Sequence, residues 1–186
     1  MDLSSSPFAR NYPFCQDHWQ AEPLNMKVAL AQINPTVGAF SGNSQKIIEI
    51  IKENSSKCDL IIFPEMCLTG YPPQDLLLDP SFIQKTKEAI KNIAITVQST
   101  PVILGTIRQQ ENMLFNTAAL LHKGLIVTFR DKTNLPTYDV FDEDRYFSSA
   151  TIRKPLELTI QGKPIKLGIE ICEDLWDDDY DTKVSQ

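Results

Sequence analysis

Apolar and polar positions follow two rhythms along this chain. Residues 27–33 (KVALAQI) and 59–63 (DLIIF) are short, nearly continuous apolar runs, the pattern of strands buried on both faces. Between them Asn34, Pro35 and Gly38 break the first run. Ile47, Ile48, Ile50 and Ile51 then alternate with Lys46, Glu49, Lys52 and Glu53 at helical spacing, with Asn43 or Ser44 as the expected N-cap. The turn-rich stretch 68–80 (LTGYPPQDLLLDP) predicts a loop, after which Ser81 caps a second helix to about Val97. Residues 102–106 predict a third strand, and 117–121 and 125–129 flank Lys123-Gly124, a hairpin signal. A further loop covers 132–147. Residues 156–160 and 165–171 pair across Gly162, the second running into Cys172. Helices and strands alternate early and hairpins follow, which predicts an α/β protein with a mixed sheet.

The first 25 residues lack this periodicity and contain three prolines and no apolar signal core. They read as an irregular extension, or as an upstream start ahead of a true one at Met26, with the domain occupying 26–186. N-terminal sequencing of the native protein beginning at Met1 or Asp2 would exclude the second reading.

Composition narrows the function classes. The chain has 186 residues, 42% hydrophobic and 23% charged, enough for one ordinary globular domain. Its formal net charge of −6 repels phosphate backbones and argues against nucleic acid. No apolar run approaches the roughly 20 residues of a membrane span. The missing signal core points to a reducing, cytoplasmic setting with free thiols. The four cysteines, Cys15, Cys58, Cys67 and Cys172, contain no C-x-x-C spacing, so no metal site is expected.

Glu65, Lys132 and Cys172 each follow a predicted strand, and ligands of helix-covered sheets bind outside such strand ends. A thiol needs a base or a positive field to ionise. The two histidines give little support to a Cys–His dyad: His18 lies in the extension and His122 beside a hairpin turn. A desolvated carboxylate can replace histidine. Glu65, after the apolar run 60–64, would then take the thiol proton and return it to a leaving amine. Lys132 and the backbone N–H of Glu173 would stabilise the oxyanion. Ordinary readings stand beside these: Cys172 as a core thiol, Glu65 as a solvated loop carboxylate, Lys132 as part of an exposed charge cluster with Arg130 and Asp131. Cys58, Cys67 and His122 read as structural, and the acidic run Asp177, Asp178, Asp179 as a solvated turn.

Three segments resemble the signature blocks of the nitrilase superfamily: LIIFPEMCLTGYPPQDLLL, FRDKTNLPTYDVFDEDRYF and GIEICEDLW, in the family's order from Met26 to about Trp176. Within it, TGYPPQDLLL, LPTYDVFDEDRYF and ICEDLW are similar to the glutaminase domains of glutamine-dependent NAD⁺ synthetases. The resemblance implies an αββα sandwich and a catalytic set of Glu65, Lys132 and Cys172. It implies that Glu143 orients the lysine and substrate, that Tyr138 lines the glutamine pocket, that Tyr71 stands near the catalytic glutamate, and that Glu173 belongs to the substrate-binding set. It further implies L-glutamine as substrate and ammonia passed to a synthetase domain that uses ATP and Mg²⁺. That domain's Ser-Gly-Gly-x-Asp-Ser loop is not found in this chain. The complete enzyme is expected to be a homo-oligomer.

The chain departs from the family by stopping 14 residues after Cys172. The sandwich is therefore expected to be incomplete at its C-terminal end, with an unpaired edge and an uncovered apolar face. Poor stability and little turnover are expected of such a chain. A stand-alone amidase of the same superfamily and an inactive truncated module are the competing readings.

Overall fold

The computed structural model describes residues 25–176. Residues 1–24 of the N-terminal extension and the run Asp177, Asp178, Asp179 lie outside them. Helix α1 spans Phe40–Asn54 and α2 spans Pro80–Thr96. The strands are β1 Val28–Leu30, β2 Leu60–Ile62, β3 Val102–Gln110, β4 Met113–His122, β5 Leu125–Asp131, β6 Leu156–Ile160 and β7 Lys163–Leu167. The first five form one sheet in the order β1-β2-β3-β4-β5, parallel across β1–β3 and antiparallel from β3 to β5. This is the mixed sheet that the alternation predicted.

Three apolar clusters organise the layers. One face of the sheet packs on both helices through Ile47, Ile51, Ile90, Ile93, Leu104 and Leu121. The other face carries the β6–β7 hairpin, where Leu60, Ile103 and Leu120 meet Leu156, Ile160 and Ile171. A third cluster, with Met66, Leu77, Phe82 and Phe147, joins α2 to the loops after β2 and β5. The helix–sheet–hairpin layering is that of a nitrilase-like sandwich.

The structure moves several expected boundaries. Helix α1 starts before Asn43, and its N-cap Ala39 makes no side-chain bond. Asn43 is buried instead. Its Oδ1 accepts from Thr36 N at 3.0 Å, and its Nδ2 donates to Thr36 O at 2.8 Å and Leu68 O at 3.0 Å. It ties two loops together, a tertiary task that helix periodicity does not reveal. Asp79, not Ser81, caps α2: its Oδ1 accepts from Ser81 N at 2.8 Å, and Pro80 opens the helix. The loop 68–80 contains a short 3₁₀ turn, Gln74–Leu78.

The hairpins at Lys123-Gly124 and Gln161-Gly162 occur as expected, with positive φ at both residues of each pair. A third hairpin, β3–β4 through Glu111, was not expected, because RQQENM is polar and lacks glycine. Strand β1 is shorter than its apolar run. Among the described residues it pairs only with β2, and Leu30 on it is 77% exposed. The strand expected over 165–171 stops at Leu167, and among the described residues no strand pairs with 168–171. Backbone polar groups need ladder partners to persist as strand.

Candidate active site

Strands β2, β3 and β5 run in the same direction, so the residues that follow β2 and β5 gather at one end of the sheet. Strand β4 starts at that end. The turn carrying Glu65 lies directly on β3 at Gly105. A Cβ on Gly105 would sit 2.1 Å from Pro64 O and 2.7 Å from Glu65 Cα. Only glycine permits this approach. Lys132 follows β5 immediately, and its backbone N–H donates to Asn116 O on β4 at 2.9 Å.

The Lys132 side chain is 1% exposed. Its Nζ lies 2.9 Å from Glu65 Oε1 and 2.9 Å from Glu143 Oε1. Tyr71 OH donates to Glu143 Oε1 at 2.9 Å. Asn116 Nδ2 donates to Glu65 Oε1 at 2.6 Å and to Glu143 Oε2 at 3.3 Å. Burial works against the ammonium, but the two carboxylates more than reverse this, and the Lys132 pKa is raised. Two carboxylates share one ammonium, so negative charge is in surplus. Burial, with added repulsion from Glu65, raises the Glu143 pKa against the pull of Lys132. Burial and then the Glu143 charge push the Tyr71 phenol up, which keeps it a donor.

Cys172 is exposed and has φ of 49°, a left-handed conformation uncommon outside glycine. It opens a short 3₁₀ turn, Cys172–Leu175. Asp174 in this turn is 3% exposed. Its Oδ1 accepts from Thr133 N at 2.9 Å and Asn134 N at 2.8 Å, and its Oδ2 from Ile171 N at 3.0 Å. One carboxylate thus joins the backbone before Cys172 to the backbone after Lys132. Cys172 and Glu65 line the same cleft of about 230 Å³, beside Ile62, Ile103 and Ala118. Burial, followed by the Glu65 charge, raises the thiol pKa, with Lys132 opposing. Such a thiol is protonated near neutrality and needs a base.

Glu65, Lys132, Cys172, Glu143 and Tyr71 are therefore close enough to interact electrostatically. Tyr71 bonds to Glu143, the second carboxylate on Lys132, and not to Glu65 itself. Tyr138 is half exposed, and its OH donates to the buried Glu173 carboxylate at 3.0 Å. Glu173 lies next to Cys172 in the same 3₁₀ turn. His122 is not part of the site: its Nε2 lies 3.2 Å from Ser99 O, where β4 ends.

Sequence reading missed Asn116 and Asp174. Asn116 interrupts the apolar run of β4 (MLFNTAALLH), and a polar residue in a buried strand was the signal available. Asp174 was hidden inside the acidic stretch around Cys172, where solvated carboxylates are the ordinary expectation.

Residues 27–180 match the carbon-nitrogen hydrolase family. The glutamine-dependent NAD(+) synthetase of Synechocystis sp. is 43% identical over 161 residues, 82% of this chain and 28% of that protein. Its counterpart from Aquifex aeolicus is 40% identical over 152 residues, 81% of this chain and 26% of that protein. The chain spans little more than a quarter of these relatives' length. The solved glutamine-dependent NAD⁺ synthetase of Acinetobacter baumannii, in complex with ADP, superposes with a TM-score of 0.74 at 37% identity, covering 83% of this chain and 29% of that one. An amidase from Nesterenkonia sp. shares the fold at 20% identity, with a TM-score of 0.65 over 81% of this chain and 56% of that one. The chain belongs to the carbon-nitrogen hydrolase family.

Proposed function

We propose that this chain carries the glutamine amidohydrolase site of a glutamine-dependent NAD⁺ synthetase. The observation that supports it most is the Lys132 ammonium held 2.9 Å from both Glu65 and Glu143, with an exposed, left-handed Cys172 on the same cleft as Glu65.

The Cys172 Sγ–H bond breaks and its proton passes to Glu65 as sulfur bonds to the glutamine amide carbon. The carbonyl π pair moves to oxygen, where Lys132 and the Glu173 backbone N–H offset the developing charge. The C–N bond then breaks, and Glu65 returns the proton to the leaving nitrogen, releasing ammonia and a thioester. Water attacks the thioester while Glu65 accepts its proton. Collapse expels the Cys172 sulfur, which recovers that proton, and glutamate leaves. Proton transfer to Glu65 also removes the charge that opposes thiolate formation. Glu143 and Tyr71 hold Lys132 in place, and the Tyr138–Glu173 pair offers a carboxylate to the substrate's amino group.

Ammonia then serves amidation of deamido-NAD⁺ in a synthetase part, with ATP and Mg²⁺. No glycine-rich phosphate loop occurs among the described residues, so no step here runs through them. The complete enzyme acts in the cytoplasm as a homo-oligomer. No helix among the described residues is long and apolar enough to cross a membrane.

The test is the labelling of each cysteine by a glutamine-like diazo ketone, followed by mass spectrometry. Cys172 is expected to react faster than Cys58 and Cys67, with protection by L-glutamine and not by a simple amide. Labelling of Cys172 no faster than the others would overturn the proposal in favour of an inert module. Protection by simple amides as well would favour a general amidase.

A further inference from the structure

Asn116 touches every part of the charged cluster. Its backbone oxygen accepts from Lys132 N at 2.9 Å. Its side-chain Nδ2 donates to Glu65 Oε1 at 2.6 Å and Glu143 Oε2 at 3.3 Å. Its Oδ1 is buried and has no hydrogen-bond partner. A buried acceptor without a donor is costly. The reversed amide would be worse, because Oδ1 would then face two carboxylate oxygens. The orientation is therefore fixed by its neighbours: both amide hydrogens point at the carboxylates that flank Lys132.

The two oxygens of Glu65 are consequently unlike. Oε1 accepts from Lys132 Nζ and from Asn116 Nδ2. Oε2 takes part in neither bond. A carboxylate oxygen that already accepts two hydrogen bonds, one from a cation, is the weaker proton acceptor.

We propose that Asn116 is a positioning residue of this site, occupying Glu65 Oε1 so that Glu65 Oε2 is the oxygen that exchanges the proton with the Cys172 thiol. This inference rests on the glutaminase reading above. The thiol proton moves to Oε2 as the S–C bond forms, and from Oε2 to the leaving nitrogen as the C–N bond breaks. Without the Asn116 donor, Glu65 Oε1 is held by Lys132 alone, the carboxylate plane turns more easily, and the proton path through the other oxygen is less well aligned.

Two electrophiles separate this role from a packing role. A glutamine-like diazo ketone needs both the thiolate and a proton delivered to its diazo carbon as nitrogen leaves. Iodoacetamide needs only the equilibrium thiolate, which proton exchange with solvent supplies at the exposed Cys172. In Asn116→Ala, Cys172 labelling by the diazo ketone is expected to fall on the order of tenfold to a hundredfold, with iodoacetamide labelling changed by no more than about twofold. In Asn116→Asp, the added carboxylate raises the proton affinity of the cluster, and the pH optimum of diazo-ketone labelling moves to higher pH. Parallel loss with both reagents overturns the proposal, as does an unchanged diazo-ketone rate in Asn116→Ala or an unmoved optimum in Asn116→Asp. Loss of the far-ultraviolet circular dichroism of both variants assigns Asn116 to folding and also overturns it. Slow labelling of Cys172 in the unmodified chain refutes the glutaminase reading itself, which keeps the two failures distinct.

Discussion

The two halves of the site are held in different ways. Lys132 is 1% exposed, and its ammonium and backbone are bonded to Glu65, Glu143 and Asn116, all on or beside the five-stranded sheet. Cys172 is exposed, follows a segment that no strand pairs with among the described residues, and is joined to the lysine side through Asp174 and Asn134. Desolvated, fully bonded charges are rigid because every alternative leaves a charge unpaired. A surface turn has cheaper alternatives. The electrostatic half is thus built into the core, while the nucleophile sits on a surface turn tied down by Asp174, Asn134 and Tyr138.

Lys132→Met strikes the rigid half and carries the largest expected effect. It leaves Glu65 and Glu143 facing each other without their ammonium, at a cost of about 3–5 kcal/mol measured by urea denaturation. A change near zero would show that the cluster is not the anchor of this half. Gly105→Ala comes next. Its Cβ would meet Pro64 O at 2.1 Å, so the Glu65 turn must lift from β3, costing about 1–3 kcal/mol. The same melt, with the diazo-ketone rate, would show both fold and site affected.

Asp174→Ala probes the other half. Three backbone N–H groups lose their acceptor, an effect of about 1–3 kcal/mol confined to the segments at Ile171, Thr133 and Asn134. Hydrogen exchange of those three amides should accelerate ahead of the β3–β4 amides. Uniform acceleration would erase the contrast between the halves.

Burial raises the Asp174 pKa, despite three N–H donors and Lys132. Between the ordinary carboxylate range and that raised value, the folded chain binds more protons than the unfolded one. This contribution to stability is largest at the acid end of the window and falls as pH rises through it. The stability of the unmodified chain minus that of Asp174→Asn should therefore shrink with rising pH across the window, in paired denaturant titrations. A difference that grows would contradict the sign. Leu30→Thr is expected to matter least. At 77% exposure the change should stay within about 0.5 kcal/mol in a thermal melt.

Much of this was legible along the chain. The amphipathic spacing of Ile47 and Ile51, the run before Glu65 and the pairs Lys123-Gly124 and Gln161-Gly162 each encode a local preference that the fold keeps. Positions whose role depends on distant partners were not legible. Asn43 looked like a helix cap and became a staple between Thr36 and Leu68. The β3–β4 turn has no glycine to mark it. Residues 165–171 have a strand's composition throughout, but pairing ends at Leu167, because a strand needs a neighbour as well as a pattern.

The sequence by itself determined the alternation of elements, the two glycine-marked hairpin turns and the three blocks that carry Glu65, Lys132 and Cys172. Those depend on spacing, turn chemistry and residue type, which are written locally. The tertiary structure alone decided that Lys132 is buried between two carboxylates, that Asn116 donates to both, and that Asp174 ties the cysteine turn to the lysine loop. The physical reason is desolvation. Whether a charged side chain is a surface residue or the centre of a site depends on what else is excluded from water around it, and that is set by chain segments far apart in sequence.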